Sequence, residues 1–449
     1  MKTLFFYDLE TTGLNPRADR VMQFAGQRTD LDLQPIGEPY NILVKLSDDI
    51  LPSPYAIRVT GITPQATLAD GIKESDFARI LISEVFTPDT VSAGFNNIRF
   101  DDEFIRHLLW RNFYDAYEWS WKEDRSRWDL LDLVRLMRAL RPEGVNWPVR
   151  PDGKETNSLA EITVLNGIEH ANAHDALADV NAAIDVARII RGRQPQLYDY
   201  IFKMRDKREV LRLVNLEDKR PFVYASGRYS SEHHKTTVAF PLTAGKNGNI
   251  IVYDLRYDPE EVMQRESFYP VVKEFAPNRC PAIAPTNVLD ASEGWSKINL
   301  TREQIESNLA KLLAHPEFTE QIRTYFESRP DFPPAPDPES ALYDSFLGDR
   351  DRKTITAIPG KDANALADFH PVFDDPRLPA LLTHYKARNF PSSLSETEQA
   401  EWDKYRLERL RAATPGFLAD LETVARDKST DPFIVEELRL YYESVAPLE

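Results

Sequence analysis

The chain has 449 residues, 42% hydrophobic and 28% charged, ordinary values for a globular protein with length for roughly two to three domains. Its single cysteine, Cys280, excludes an internal disulfide and gives no support for a cysteine-based metal site, in keeping with a reducing cytosol. The net charge of −17 argues against nucleic acid unless basic groups are gathered locally, because phosphate binders usually carry a basic excess.

The N-terminal "MKTLFFYDLE" is too short an apolar run for a secretion signal, and no stretch reaches the length of a membrane span. "TLFFYDLE" predicts a strand, "RVMQFAGQRTD" a second, "NILVKL" a third and "DTVSAGFN" a fourth. Phe104, Leu108 and Leu109 then recur at helical spacing, and a further helix is predicted from about Ala176 to Arg191, with Leu177, Val180, Ile184 and Ala187 on one face. Residues 1 to about 190 therefore read as α/β. From Pro221 the texture changes to short strands, "RPFVYASG", "TTVAFPLTAG" and "GNIIVYDL", a small β domain. Thr301 and Gln304 form a capping-box pattern before a helix. "RPDFPPAPDPES", residues 329–340, reads as a proline-rich linker. Beyond it the chain is mostly helical, with Ser395 and Glu398 as a second capping box.

The chemistry lies in the acids. Residues two apart in a strand point the same way, so Asp8 and Glu10 share a face. Paired carboxylates in a sheet repel and are costly to desolvate, and a cation relieves both penalties. A solvated edge strand is the bland alternative. In "GFNNIRFDDEF", Asp101 opens a helix four positions after Asn97; alone it could be a cap. Asp102 and Glu103 read as first-turn acids. "HANAHDALADV" supplies His174 and, five residues on, Asp179 at the start of the predicted helix. Four acids and a histidine suit Mg²⁺ or Mn²⁺ rather than zinc. Two such ions bridged by Asp8 would clamp a phosphodiester, with neutral His174 taking the proton of the attacking water.

Asp8-x-Glu10 with Thr-Thr-Gly, Asn97-x-x-x-Asp101 and His174-x-Ala-x-x-Asp179, in that order, resemble the histidine-bearing DEDD exonuclease superfamily. "GITPQA", "NNIRFDDEF", "RNFYDAYEWSW", "SRWDLLDLVR", "ALRPEGVNWP", "NGIEHANAHDALADV" and "YKARNFP" resemble, more narrowly, the bacterial exodeoxyribonuclease I family over nearly the whole chain. The resemblance implies a ribonuclease H-like α/β domain with a mixed five-stranded sheet at 1–193. A Src-homology-3-like (SH3-like) β-barrel with helical additions would follow at 194–345, and an all-α domain at 346–449. It implies processive 3′→5′ degradation of single-stranded DNA to 5′-mononucleotides, with roles in repair and recombination, by a cytoplasmic monomer. Asp8, Glu10, Asp101 and Asp179 would be the metal-binding acids for two Mg²⁺, with Mn²⁺ as substitute, and His174 the general base. The acidic tail of single-stranded DNA-binding protein would be a partner. Ser158, where family members carry arginine, is left out of the site.

Residues 106–135 interleave aromatics with arginine, as single-strand binders do to stack bases and hold phosphates. Guided by the resemblance, Arg106, Tyr117, Trp121 and Arg135 are expected on the DNA, with Glu10, Thr11 and Leu14 at its 3′ end; packing in the core is the alternative for the aromatics. "HHKTT" (233–237) reads as a hairpin loop, with contact to the strand as the alternative, and "HYKARNFP" (384–391) either completes the channel or packs the C-terminal domain. Two rival functions stand: an exoribonuclease of the same superfamily, and a catalytically silent strand-binding scaffold.

Overall fold

The computed structural model describes residues 1–169, 175–330 and 333–446. The first sheet comprises β1 (Thr3–Thr11), β2 (Val21–Thr29), β3 (Tyr40–Leu43), β4 (Thr90–Gly94) and β5 (Ser126–Asp129), in the order β3-β2-β1-β4-β5. β2 is antiparallel to β1 and β3, whereas β4 is parallel to β1 and β5, so the sheet is mixed as expected. Central β1 is covered on both sides, and its alternation sorts one core from another rather than core from solvent. Leu4 and Phe6 pack with the helices Leu130–Leu140 and Ala176–Arg193. Phe5, Tyr7 and Leu9 pack with Glu74–Ile80 and Asp101–Arg111. The period of two assigns Asp8 and Glu10 to the face of Ala176–Arg193.

The second sheet is antiparallel throughout, with β6 (Phe222–Ala225), β7 (Thr236–Ala244), β8 (Ile250–Asp254), β9 (Val272–Phe275) and β10 (Ala282–Pro285) in the order β10-β6-β7-β8-β9. Its apolar side chains belong to the same buried cluster as Leu4 and Phe6, so the two sheets share a continuous core. Thr301 Oγ1 accepts from the Gln304 N–H (3.2 Å) at the start of the helix Arg302–Ala314, the forward half of the expected box.

The C-terminal helices wrap back onto the first domain. Leu378, Leu381 and Tyr385 pack with Trp110 and Phe113, while Phe417, Leu421 and Leu438 pack with Met22 and Ile57. Both halves of the Ser395–Glu398 capping box form at the head of the 31-residue helix Glu396–Arg426.

Three stretches are held by specific contacts. The end of the proline-rich linker is anchored: Trp110 Nε1 donates to Pro338 O (2.8 Å), and Glu339 is fully buried. The basic residues of 384–391 pack the C-terminal domain and are consumed in pairs, Lys386 with Glu398 (2.7 Å) and Arg388 with Asp49 (2.7 Å). In the 233–237 loop, His234 meets Glu155 (2.9 Å) and His233 meets Ile298 O (2.8 Å), so that loop pins the second domain internally and to the first. Among the described residues no helix is long and apolar enough to cross a membrane.

Candidate active site

β1 carries Asp8 and Glu10 to its C-terminal end, where its pairing with β2 shifts at a bulge between Glu10 and Thr11. A bulge ends the ladder and turns the chain away, leaving both carboxylates at the rim. The Thr-Thr-Gly turn follows. Thr11 Oγ1 donates to Gly13 O (2.7 Å), and Gly13 lets the Asp19 carboxylate fold against the turn, since a Cβ would lie 2.5 Å from Asp19 Oδ2 and force that side chain to move.

The third acid comes from the helix Ala176–Arg193. Asp175 caps it, its side chain accepting from the Ala178 N–H (3.0 Å), and Asp179 follows one turn in. Carboxylate oxygens of Asp8, Glu10 and Asp179 all lie within 4.8 Å of one another. Burial first, then Asp101, Glu10 and Asp179, hold the Asp8 carboxyl well above its ordinary range. Burial, with Asp179 and Asp175, pushes Glu10 up to about 8. Three converging carboxyl groups, two of which, Asp8 and Glu10, resist ionisation, are an arrangement a divalent cation would stabilise, and an all-oxygen donor set fits such an ion.

Asp101 approaches from the other side of β1. It is buried at the start of Asp101–Arg111, and its Oδ1 accepts from the Leu9 N–H (3.1 Å), which fixes it next to Asp8. Burial and then Asp102 raise its pKa well above the carboxylate range. Gly94, which ends β4, lets this corner close: a Cβ there would sit 2.9 Å from Tyr7 O and from Asn97 Cβ. His174 lies outside the described residues, immediately before the cap residue Asp175.

Asp102 and Glu103 stand in the first turn, as expected, but each has a further role. Fully buried Asp102 accepts from the Tyr7 hydroxyl and from Arg127 Nη1 (2.7 Å). Arg127 Nη2 goes on to Asn278 O (3.1 Å) in the second domain. Glu103 pairs with Arg106 (2.9 Å) and accepts from the Tyr343 hydroxyl (2.5 Å).

The residues expected along the strand fall into different settings. Leu14 is 84% exposed at the tip of the turn, and Trp121 is 63% exposed. Arg106 lies over the Tyr117 ring (5.7 Å), and Tyr117 meets the rings of Tyr343 (6.3 Å) and Phe346 (5.9 Å). Phe346 is itself 79% exposed. Tyr343 and Phe346 were missed in sequence; an aromatic pair after the proline-rich segment was their only signal. Arg135 stands apart from this group, paired with Asp132 (2.5 Å) and packed so close to Gly227 that a Cβ there would lie 2.8 Å from its Nη2. Ser158 precedes the helix Leu159–Leu165 without a side-chain cap bond.

Family models match the chain in three consecutive parts: Exonuclease over residues 5–187, Exonuclease I SH3-like domain over 205–328 and Exonuclease I C-terminal domain over 336–445. Exodeoxyribonuclease I of Escherichia coli strain K12 is 38% identical over 93% of this chain and 91% of its own length. The crystal structure of E. coli Exonuclease I in complex with a dA16 oligonucleotide superimposes with a TM-score of 0.95 at 35% identity, over 99% of this chain and all of that one. A crystal structure of SSB/Exonuclease I in complex with the inhibitor CFAM does so with a TM-score of 0.91 at 35% identity, over 99% of this chain and 100% of that chain. With domain order, acid cluster and full-length likeness in agreement, the chain belongs to the exodeoxyribonuclease I family of nucleases.

Proposed function

We propose that this protein removes nucleotides from the 3′ end of single-stranded DNA by Mg²⁺-dependent hydrolysis, releasing 5′-mononucleotides. The observation that carries the reading is the convergence of Asp8, Glu10 and Asp179 within 4.8 Å on a chain of this family. Asp8, Glu10, Asp101 and Asp179 are the residues that would hold two divalent ions. When bound, those ions supply charge stabilisation for the phosphodiester and a lowered pKa for the attacking water. The protein's own part is orientation. The Leu9 N–H fixes Asp101, and the rigid β1 strand sets the Asp8–Glu10 spacing. His174, five residues before Asp179, takes the proton of the attacking water at its imidazole.

Leu14 and Thr11 would meet the terminal nucleotide, and Arg106, Tyr117 and Trp121, joined by Tyr343 and Phe346, would carry the strand onward. Arg135, turned toward Gly227, is the weakest member of the expected set. The division into domains at 193/194 and 345/346, a monomeric cytoplasmic enzyme, and work in repair and recombination are part of the same reading. So is docking of the C-terminal tail of single-stranded DNA-binding protein, in line with the SSB/Exonuclease I relative.

The test is digestion of a 3′-labelled single strand, its duplex and an RNA of the same sequence across a Mg²⁺ titration. The expected result is Mg²⁺-dependent loss of label from the DNA single strand. Preferential loss from RNA would make the protein an exoribonuclease. Asp8→Ala should abolish cleavage and retain strand binding; undiminished cleavage in that variant would move the site elsewhere.

A further inference from the structure

The segment that joins the SH3-like domain to the C-terminal helices carries a fully buried carboxylate, Glu339. A charge is tolerated in a core when it is closely paired. Glu339 Oε1 accepts from Arg388 Nη1 (2.5 Å) and lies 2.9 Å from His384 Nδ1. Oε2 accepts from Arg20 Nη2 (2.5 Å) and lies 3.4 Å from Arg409 Nη1. Arg20 belongs to the first domain and the other three to the C-terminal helices, so one carboxylate ties both to the connecting segment.

Two of these guanidinium groups reach further. Arg20 Nη1 and Arg409 Nη2 both donate to Ala18 O, at 2.9 and 2.7 Å. Ala18 lies in the loop from Thr12 to Arg20. That loop is closed at its base by the Thr12 N–H on Arg20 O (2.9 Å) and the Arg20 N–H on Thr12 Oγ1 (2.9 Å). It continues β1 directly beyond Glu10 and carries exposed Leu14 near its tip.

We propose that Glu339 is a positioning residue for cleavage: through Arg20 and Arg409 it fixes the Thr12–Arg20 loop, and with it Leu14, against the 3′-terminal nucleotide. This rests on the reading of Leu14 and the acid cluster given above. The loop's geometry thereby depends on the C-terminal domain being seated, because Arg409 comes from that domain and Glu339 from the segment leading to it. Without the Glu339 charge, Asp49 is, among the described residues, the one paired carboxylate left for Arg388 and Arg409, and Arg20 loses its paired acid.

Glu339→Gln, Leu14→Ala and the double variant, all full-length, are to be compared in single-turnover cleavage of single-stranded DNA with Mg²⁺, and by hydrogen exchange of the peptide covering residues 12–20. Glu339→Gln should lower the saturating rate about tenfold or more while the half-saturating strand concentration stays within about twofold. The 12–20 amides should exchange faster. In the Leu14→Ala background the same substitution should cost less than about twofold, because both changes remove one function. Multiplicative effects, a change confined to half-saturation, or faster exchange without loss of rate would each overturn the proposal. A Leu14→Ala protein that cleaves at the wild-type rate refutes the reading of Leu14 and the proposal with it. A slowed Leu14→Ala protein with multiplicative Glu339→Gln refutes the proposal alone. Should Glu339→Gln unfold below the assay temperature, Arg409→Gln, whose side chain is 20% exposed, must show the same pattern for the proposal to stand.

Discussion

A carboxylate crowded by other carboxylates keeps its proton, and Glu10 makes that measurable. Its pKa is pushed from 4.5 to about 8 by burial, Asp179 and Asp175. A folded-state value above the unfolded one means that the metal-free native state binds the extra proton. The stabilisation is therefore complete below about pH 4.5 and is lost as pH rises toward about 8. The metal-free protein should show a melting temperature that falls across this window, a shallower fall in Glu10→Gln, and recovery on adding a divalent cation. A flat profile without metal would mean the acids do not crowd one another. Asp102 makes a second case. It holds buried Arg127 and the Tyr7 hydroxyl, so Asp102→Ala leaves a cation without its partner and should cost about 3 kcal/mol or more in urea unfolding. Sequence spacing read Asp102 as a first-turn acid because its partners are distant: Tyr7 is 95 residues away and Arg127 is 25. The Asp8–Glu10 pair was legible because its geometry is local, a period of two on a strand, whereas Asp179, far along the chain, was joined to it by the ordered motifs that carry the family resemblance.

At the level of elements, the same distinction separates what the sequence announces from what it conceals. β1, β2, β4 and the helix Ala176–Arg193 follow from periodicity, and the Ser395–Glu398 cap from a local motif. The proline-rich stretch at 329–340 does not follow, because the Trp110 indole and the arginines that anchor it lie more than 40 residues away in the chain. The helix that delivers Asp179 offers a direct test of how an element serves the site. Asp175 is both its cap and a negative charge near Glu10. Asp175→Ala should lower stability by about 1 kcal/mol, whereas Asp175→Asn, an equally good cap, should restore it. If the helix start sets the position of Asp179, cation affinity should fall in the alanine variant and recover in the asparagine variant. Weak affinity in both would instead make the charge of Asp175 the relevant property.

For the whole molecule, a net charge of −17 and a DNA substrate are compatible only if the basic groups that meet phosphate are few and concentrated. Many basic side chains are already committed to internal pairs: Arg20, Arg388 and Arg409 with Glu339 and Asp49, Lys386 with Glu398, Arg135 with Asp132. The expected salt dependence is thus steep enough to detect but set by a small number of contacts, each contributing about 0.7 to the log–log slope for a single strand. Arg106 separates two models of the strand path. Its guanidinium lies between Glu103 and the Tyr343 hydroxyl and over the Tyr117 ring. If it turns to a phosphate when the strand enters, Arg106→Gln should weaken binding and flatten the slope by about 0.7. If it serves only to hold Glu103, Tyr117 and Tyr343 in register, binding should weaken with the slope unchanged, because no phosphate contact has been removed. Measuring affinity for one oligonucleotide at several salt concentrations, in the native protein and in this variant, distinguishes a charge that holds the strand from a charge that holds the aromatics.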